Sequence, residues 1–288
     1  MRAFAAELNS FRIHYEVHGQ GPVLMTLPNS WGLSFEGLRA MYRPLEERLT
    51  LVYFDPRGMG GSGPVREESD RGMAAVRVDF QALRRHLGLE KVAVIGWSNG
   101  AMNLIDLAHE HPQSLSAAIF VHGVASFTAE DSRTVQAGHP ELTRRYTAFL
   151  KEVDDPGKTP EEKTRLLRQM WLEEYFPMTC ADPDAMRPRI AEVFTDAQLS
   201  WAHVEHTNRE AGVFDARDKL PAIPVRSLVI AGAHDLLPPE RVKALADGLP
   251  SATLRVFARS GHFAPVEEAE VFKAAVYDFL GLSAPARR

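Results

Sequence analysis

The stretch Lys91-Val-Ala-Val-Ile95-Gly96-Trp97-Ser98-Asn99-Gly100 runs an apolar, strand-like segment straight into a helix-like one, Ala101 to Glu110. A serine is thereby held at a strand-to-helix corner, the arrangement of a nucleophile elbow. Such a turn thrusts its side chain out of a strained backbone. The reversal leaves no room for a Cβ on either side, which explains Gly96 and Gly100. The plainer reading is a serine capping an ordinary helix. Its position behind a buried strand and ahead of the small residues Asn99-Gly100-Ala101 favours the elbow.

Working outward, short apolar runs alternate with longer amphipathic ones, the pattern of a mainly parallel sheet wrapped by helices. The start differs: Phe4 to Leu8 and Phe11 to Val17, split by Asn9-Ser10, predict an antiparallel hairpin at a sheet edge. Strands are expected at Val23 to Leu27, Leu51 to Phe54, Val92 to the elbow and Ser116 to Val121. Helices are expected at Phe35 to Leu49, where Pro44 interrupts, and at about Asp70 to Leu87. The glycine-dense loop Asp55 to Gly63 lies at the carboxyl edge of the sheet. From about Gly123 to Leu220 no buried strand is evident and helix starts recur, including the capping box Thr159-Pro160-Glu161-Glu162. The strand pattern resumes at Val225 to Ala231, so the helical stretch reads as an insertion whose ends lie close together. The division is a core over 1–123, a helical cap over 124–220, and the rest of the core over 221–288. Tyr146, Phe149, Trp171, Tyr175, Phe176, Phe194, Trp201 and Phe214 furnish mainly the cap's own core, with two or three facing a pocket.

Two further residues follow from position. The strand ending at Ala231 leads into Gly232-Ala-His-Asp235, which seats an acid at the carboxyl end of the sheet. The last strand, Thr253 to Phe257, leads into Arg259-Ser-Gly-His262, which offers a histidine there. A serine hydroxyl is a weak nucleophile at neutral pH. His262 would take its proton and later return it to the leaving group, and Asp235 would fix the tautomer of the imidazole and stabilise its cation. The chain contains eleven histidines. His14 and His18 near the hairpin, and His86, His109 and His111 at helix ends, read as surface or capping groups, and His234 belongs to the acid's own loop. His203 and His206, an H-x-x-H pair beside Glu205, have the spacing of metal ligands on a helix, but no second ligand pair accompanies them, so no metal is expected.

Composition narrows the function classes. The chain has 288 residues, 45% hydrophobic and 25% charged, enough to bury a large core. A net charge of -5 and scattered arginines give no basic stripe, so nucleic acid is not an expected partner. No apolar run approaches the ~20 residues that cross a bilayer, and the amino-terminal residues lack the apolar core of a secretory signal. The single cysteine, Cys180, has no basic neighbour to make a thiolate and reads as filler; a reducing cytoplasm fits. No sequence pattern specifies an oligomeric state.

The elbow, the order serine, acid, histidine, the loop Asp55-x-Arg57-Gly58-x-Gly60-x-Ser62 and the terminal Gly261-His262 together resemble the α/β-hydrolase family. Within it they resemble the capped branch of proline iminopeptidases, small-molecule esterases, lactonases and carbon–carbon hydrolases, over residues of about 10 to 123 and 221 to 280. The resemblance implies an α/β-hydrolase fold and a cofactor-free serine hydrolase that cleaves a small ester or amide through an acyl-enzyme on Ser98. It also implies two amides for the oxyanion, one from Asn99 and one from the loop Pro28 to Gly32, assigned to Trp31 with Ser30 as the alternative. Members often carry His-Gly in that loop, where this chain has Asn29-Ser30. Epoxide hydrolases and haloalkane dehalogenases carry aspartate at the elbow, so Ser98 disfavours alkyl-enzyme chemistry. Three other readings stand beside the esterase: an iminopeptidase gripping an amino terminus with Glu205 or Glu210, a carbon–carbon hydrolase or lyase, and a ligand receptor with a vestigial site.

Overall fold

The protein is seen in a computed structural model that describes residues 2–212, 214–237 and 239–282. Pro238 of the acid's turn and 283–288 of the second core part lie outside them. An eight-stranded sheet runs through the described residues in the order β1-β2-β4-β3-β5-β6-β7-β8. The strands are β1 (Arg2–Leu8), β2 (Phe11–Gly19), β3 (Val23–Leu27), β4 (Thr50–Phe54), β5 (Val92–Trp97), β6 (Leu115–Val121), β7 (Ser227–Gly232) and β8 (Ala252–Phe257). β1 and β2 form the expected antiparallel hairpin, β2 pairs antiparallel with β4, and every later pairing is parallel.

Periodicity explains the arrangement. β5 and β7 are buried along their whole length, as strands covered on both faces must be, whereas β2 and the edge strand β8 alternate or expose residues. Successive side chains of the inner strands divide between two cores. Ile95, Trp97, Ile119, Val121 and Ile230 pack on one face; Val94, Phe120, Val229 and Ala231 pack on the other. The chain passes from β3 outward to β4 and then crosses back to β5 on the other side of β3. This reversal, at the carboxyl ends of β3 and β5, is the kind of switch point at which doubly wound sheets hold ligands.

The helices of the first part are α1 (Phe35–Tyr42), α2 (Met73–His86) and α3 (Asn99–Glu110). The helix expected to reach Leu49 stops at Tyr42 and continues as a 3-10 turn over Arg43–Glu47, because Pro44 cannot supply an amide to an α-helical ladder. Likewise α2 starts at Met73 after a separate turn over Glu68–Asp70. Between β6 and β7 lie α4 (Ala129–Gly138), α5 (Pro140–Val153), α6 (Pro160–Gln169), α7 (Phe176–Met178), α8 (Pro183–Val193) and α9 (Trp201–Ala211). The Thr159 capping box is formed, with the Glu162 amide donating to Thr159 Oγ1 and the Thr159 amide to Glu162 Oε2. A π-helical segment, Met170–Tyr175, joins α6 to α7, a feature no periodicity reading anticipates. The two ends of this helical segment meet at an antiparallel bridge between Ser126 and Asp215. Phe214, expected among the aromatics of the insertion, packs instead in the sheet core beside Ala216 and Val225. α10 (Pro239–Gly248), α11 (Ala264–Glu267) and α12 (Ala269–Phe279) complete the second part.

Candidate active site

Ser98 follows β5 with φ 53° and ψ -118°, a conformation that non-glycine residues avoid unless the surroundings hold it. Close packing accounts for both neighbouring glycines. A Cβ on Gly96 would lie 2.5 Å from the Gly100 carbonyl oxygen, and one on Gly100 2.5 Å from that of Leu27. Ser98 Oγ lies 3.0 Å from His262 Nε2, and His262 Nδ1 lies 2.9 and 3.0 Å from the two oxygens of Asp235. Ser98, Asp235 and His262, expected from distant parts of the sequence, thus join in one hydrogen-bonded chain, each no more than 8% exposed. The direction follows from the acceptor: an ionised Asp235 receives the Nδ1 proton, leaving the Nε2 lone pair to accept from the Ser98 hydroxyl.

Burial alone would raise the pKa of Asp235, but the charge and N–H donors of His262 and His122 outweigh it and hold the carboxyl well below the ordinary range. The Leu237 amide donates to Oδ1 as well, at 3.0 Å. His262 is fixed from several sides. Its amide donates to Thr179 O at 2.8 Å, its carbonyl accepts from Trp97 Nε1 at 2.9 Å, and the indole of Trp97 packs 5.3 Å from the imidazole. Glu267 accepts from the amides of Gly261 and Phe263 on the histidine loop, and from that of Ala181 on the helical segment.

The loop after β3 is clamped to the elbow by two asparagines. Asn29 Oδ1 accepts from the Gly100 amide at 2.8 Å, while Asn99 Oδ1 accepts from both the amide and the hydroxyl of Ser30 at 2.9 Å. The Ser30 amide is therefore engaged, whereas the amides of Trp31 and Asn99 have no hydrogen-bond partner among the described residues. Thr207 of α9 donates to the Ser30 carbonyl at 2.9 Å. The departure noted at Asn29-Ser30 is thus itself the clamp. Trp31 Nε1 and Asn99 Nδ2 are buried polar atoms without a partner. The Trp31 ring lies 6.3 Å from that of Trp171 on the π-helical segment, whose other aromatic, Tyr175, is held neutral by burial.

Other polar candidates have different roles. His203 is buried, receives the Ser200 hydroxyl proton at Nδ1 and donates from Nε2 to the Arg57 carbonyl at 2.9 Å, with burial lowering its pKa to about 4. His206 instead faces Glu68 and Glu210, so the H-x-x-H pair does not converge. Glu210 accepts from the Met73 amide at the start of α2, and Glu205 is exposed. His18 is buried against Glu16 and the half-buried His14 bonds the buried Asp55 at 2.9 Å, so neither is the surface group expected; the paired carboxylate makes the burial of His18 tolerable. Cys180 is buried and its thiol pKa is pushed up by burial, as suits filler. The residue the sequence reading missed is His122, which follows β6 and donates from Nδ1 to Asp235 Oδ2 at 2.8 Å. It follows an apolar strand, and the pairing of that strand with β7 brings it to the acid. His122, Asp235 and His262 are the cluster of potential metal ligands among the described residues. Their facing atoms are hydrogen-bonded to one another at 2.8 to 3.0 Å.

Residues 23–269 match the family model described as alpha/beta hydrolase fold. The chain belongs to that family. Over 286 residues it is 28% identical to a putative carbamate hydrolase, RutD, of Caulobacter sp. (strain K31), covering 93% of this chain and 95% of the relative. It is 27% identical to a proline iminopeptidase of Levilactobacillus brevis, covering 80% of this chain and 78% of the relative. Among solved structures, an alpha/beta fold family hydrolase from Bacillus anthracis superposes with a TM-score of 0.78 at 21% identity, covering 96% of this chain and 99% of that one. No helix among the described residues is long and apolar enough to cross a membrane.

Proposed function

We propose that the protein is a cofactor-free serine hydrolase that cleaves a small carboxylic ester or amide through an acyl-enzyme on Ser98. The observation that carries this reading is the continuous chain from Ser98 Oγ through His262 to Asp235. In the first step Ser98 Oγ attacks the substrate carbonyl carbon while His262 Nε2 takes the hydroxyl proton. Asp235 holds the imidazolium, and the amides of Asn99 and Trp31 receive the oxyanion. His262 then gives its proton to the leaving alcohol or amine as the carbonyl–heteroatom bond breaks. Water, activated by the same imidazole, releases the acid in the second step. The engagement of the Ser30 amide by Asn99 supports Trp31 as the second donor.

The helical segment over 124–220 acts as a cap. With Ser98 only 7% exposed, substrate entry requires this segment to move away from its contacts with Ser30, Arg57 and Thr179's partner His262. The carbamate hydrolase relatives favour including carbamates, which are both ester and amide, among the substrates. The iminopeptidase reading has less support, since Glu210 caps α2 and Glu205 faces solvent. The lone buried Cys180 suits a reducing compartment, the cytoplasm. A fluorophosphonate probe tests the proposal. It should label the wild type and not Ser98→Ala, and a panel of aryl esters, carbamates and proline arylamides should show turnover in the first two groups. Equal labelling of both proteins contradicts the mechanism, and tight ligand binding without any turnover favours a receptor.

A further inference from the structure

His122 stands out among groups that the proposed mechanism does not use. It is completely buried, its Nδ1 lies 2.8 Å from Asp235 Oδ2, and its Nε2 accepts from the Ala264 amide at 3.3 Å. Because Nε2 accepts, the proton resides on Nδ1 and points at the carboxylate. One side chain therefore ties the turn that bears the acid to the loop two residues beyond His262. Its ring centroid lies 5.2 Å from that of His262. The backbone pays attention to nothing local here: His122 has φ 54°, a left-handed conformation that a non-glycine residue keeps only when its surroundings enforce it.

We propose that His122 is a positioning residue of this hydrolase, its Nδ1–H fixing the Asp235 carboxylate in the orientation His262 requires and drawing off part of its charge. The inference rests on the Ser98 reading above. The groups facing the pair are Asp235 on the turn after β7, His262 on the loop after β8 and Glu267 on α11, with Tyr175 and Cys180 of the helical segment beyond Asp235. Burial lowers the pKa of His122, outweighing the attraction of Asp235, so it stays a neutral donor while His262 cycles. Without that donor the carboxylate turns more of its charge on His262 and is freer to rotate. Stabilising the His262 cation makes the neutral base available only at higher pH, so the acid limb of kcat/KM must move upward.

The test compares the pH profile of aryl-ester hydrolysis for wild type, His122→Phe and His122→Asn. Phenylalanine fills the space without a donor. Asparagine offers an N–H near the Nδ1 position and tolerates left-handed backbone. The expected result for His122→Phe is an acid limb moved up by about one pH unit with kcat lowered roughly tenfold and KM little changed. His122→Asn should recover both to within about threefold. Superimposed profiles for all three, or an asparagine variant as impaired as the phenylalanine one, overturn the proposal. If His122→Phe does not fold, nitrogen NMR of the wild type decides. A His122 that keeps its proton on Nδ1 from about pH 5 to about pH 9 is expected, and one that titrates or carries it on Nε2 overturns the role. Failure of fluorophosphonate labelling would instead remove the Ser98 mechanism, while the NMR measurement would still report the tie to Asp235.

Discussion

The sheet rim that carries Ser98, Asp235 and His262 and the helical segment from α4 to α9 are built on different terms. At the rim, each functional side chain follows directly from a fully buried strand, β5 or β7, or from the loop after β8, and its neighbours lock it with main-chain hydrogen bonds. The helical segment meets the same rim through side chains, with Thr207 on the Ser30 carbonyl, His203 on the Arg57 carbonyl and Glu210 on the Met73 amide, through main-chain bonds such as that from the His262 amide to the Thr179 carbonyl, and through Phe176 and Phe194, which share a core with Trp97 and Phe263. A sheet laced by main-chain ladders suits the holding of reacting groups, while under the proposed mechanism access to them falls to the helical segment. Under that mechanism the rim carries the chemistry and the helical segment the access.

The contrast is broken most severely by removing rim groups. Ser98→Ala should lower kcat by about 10⁶-fold with the fold intact, as measured by ester turnover and circular dichroism, because the nucleophile has no substitute. Asp235→Asn should cost up to about 10⁴-fold in kcat, since the amide would favour the wrong imidazole tautomer. A loss of less than tenfold would place the orienting acid elsewhere.

Contacts of the helical segment should weigh less and act on stability. His203 titrates near 4 when folded and near 6.5 when unfolded, so the unfolded chain binds the extra proton first as pH falls. Stability should therefore decline between about pH 6.5 and about pH 4, by about 3 kcal/mol at the lower end. His203→Gln, which can still donate to Arg57, should flatten that decline in denaturant melts; an unchanged slope would remove His203 as its source. Smallest of all, Thr207→Val should weaken the hold of α9 on the Ser30 loop by about 1 kcal/mol and lower kcat less than tenfold. A loss as large as that of Asp235→Asn would mean that the helical segment belongs to the reacting centre.

The same contrast decides what could be read from sequence. Buried strands, the elbow and the order of Ser98, Asp235 and His262 are local patterns, and the eight-stranded sheet with its opening hairpin matches the fold expected from them. The Asn29 and Asn99 clamp was invisible because each amide acts across the sheet on a residue some seventy positions away. His122 escaped notice for a related reason: a histidine after a strand has no period or spacing, and only the pairing of β6 with β7 brings it to Asp235. The inward placement of His18 and of the half-buried His14 depended on carboxylate partners, one of them supplied by the distant Asp55 loop. The Thr159 capping box marked the start of α6 but gave no sign of the π-helical segment after it, which displaces Trp171 and Tyr175 from the regular helical phase.

The most direct measurement is rapid acid quenching during turnover of an aryl ester, followed by peptide mass mapping. An acyl mass increment on the peptide containing Ser98, formed in a burst and absent from Ser98→Ala, is the predicted result. Steady turnover with no increment on that peptide, or with the acyl group on another residue, would contradict the account.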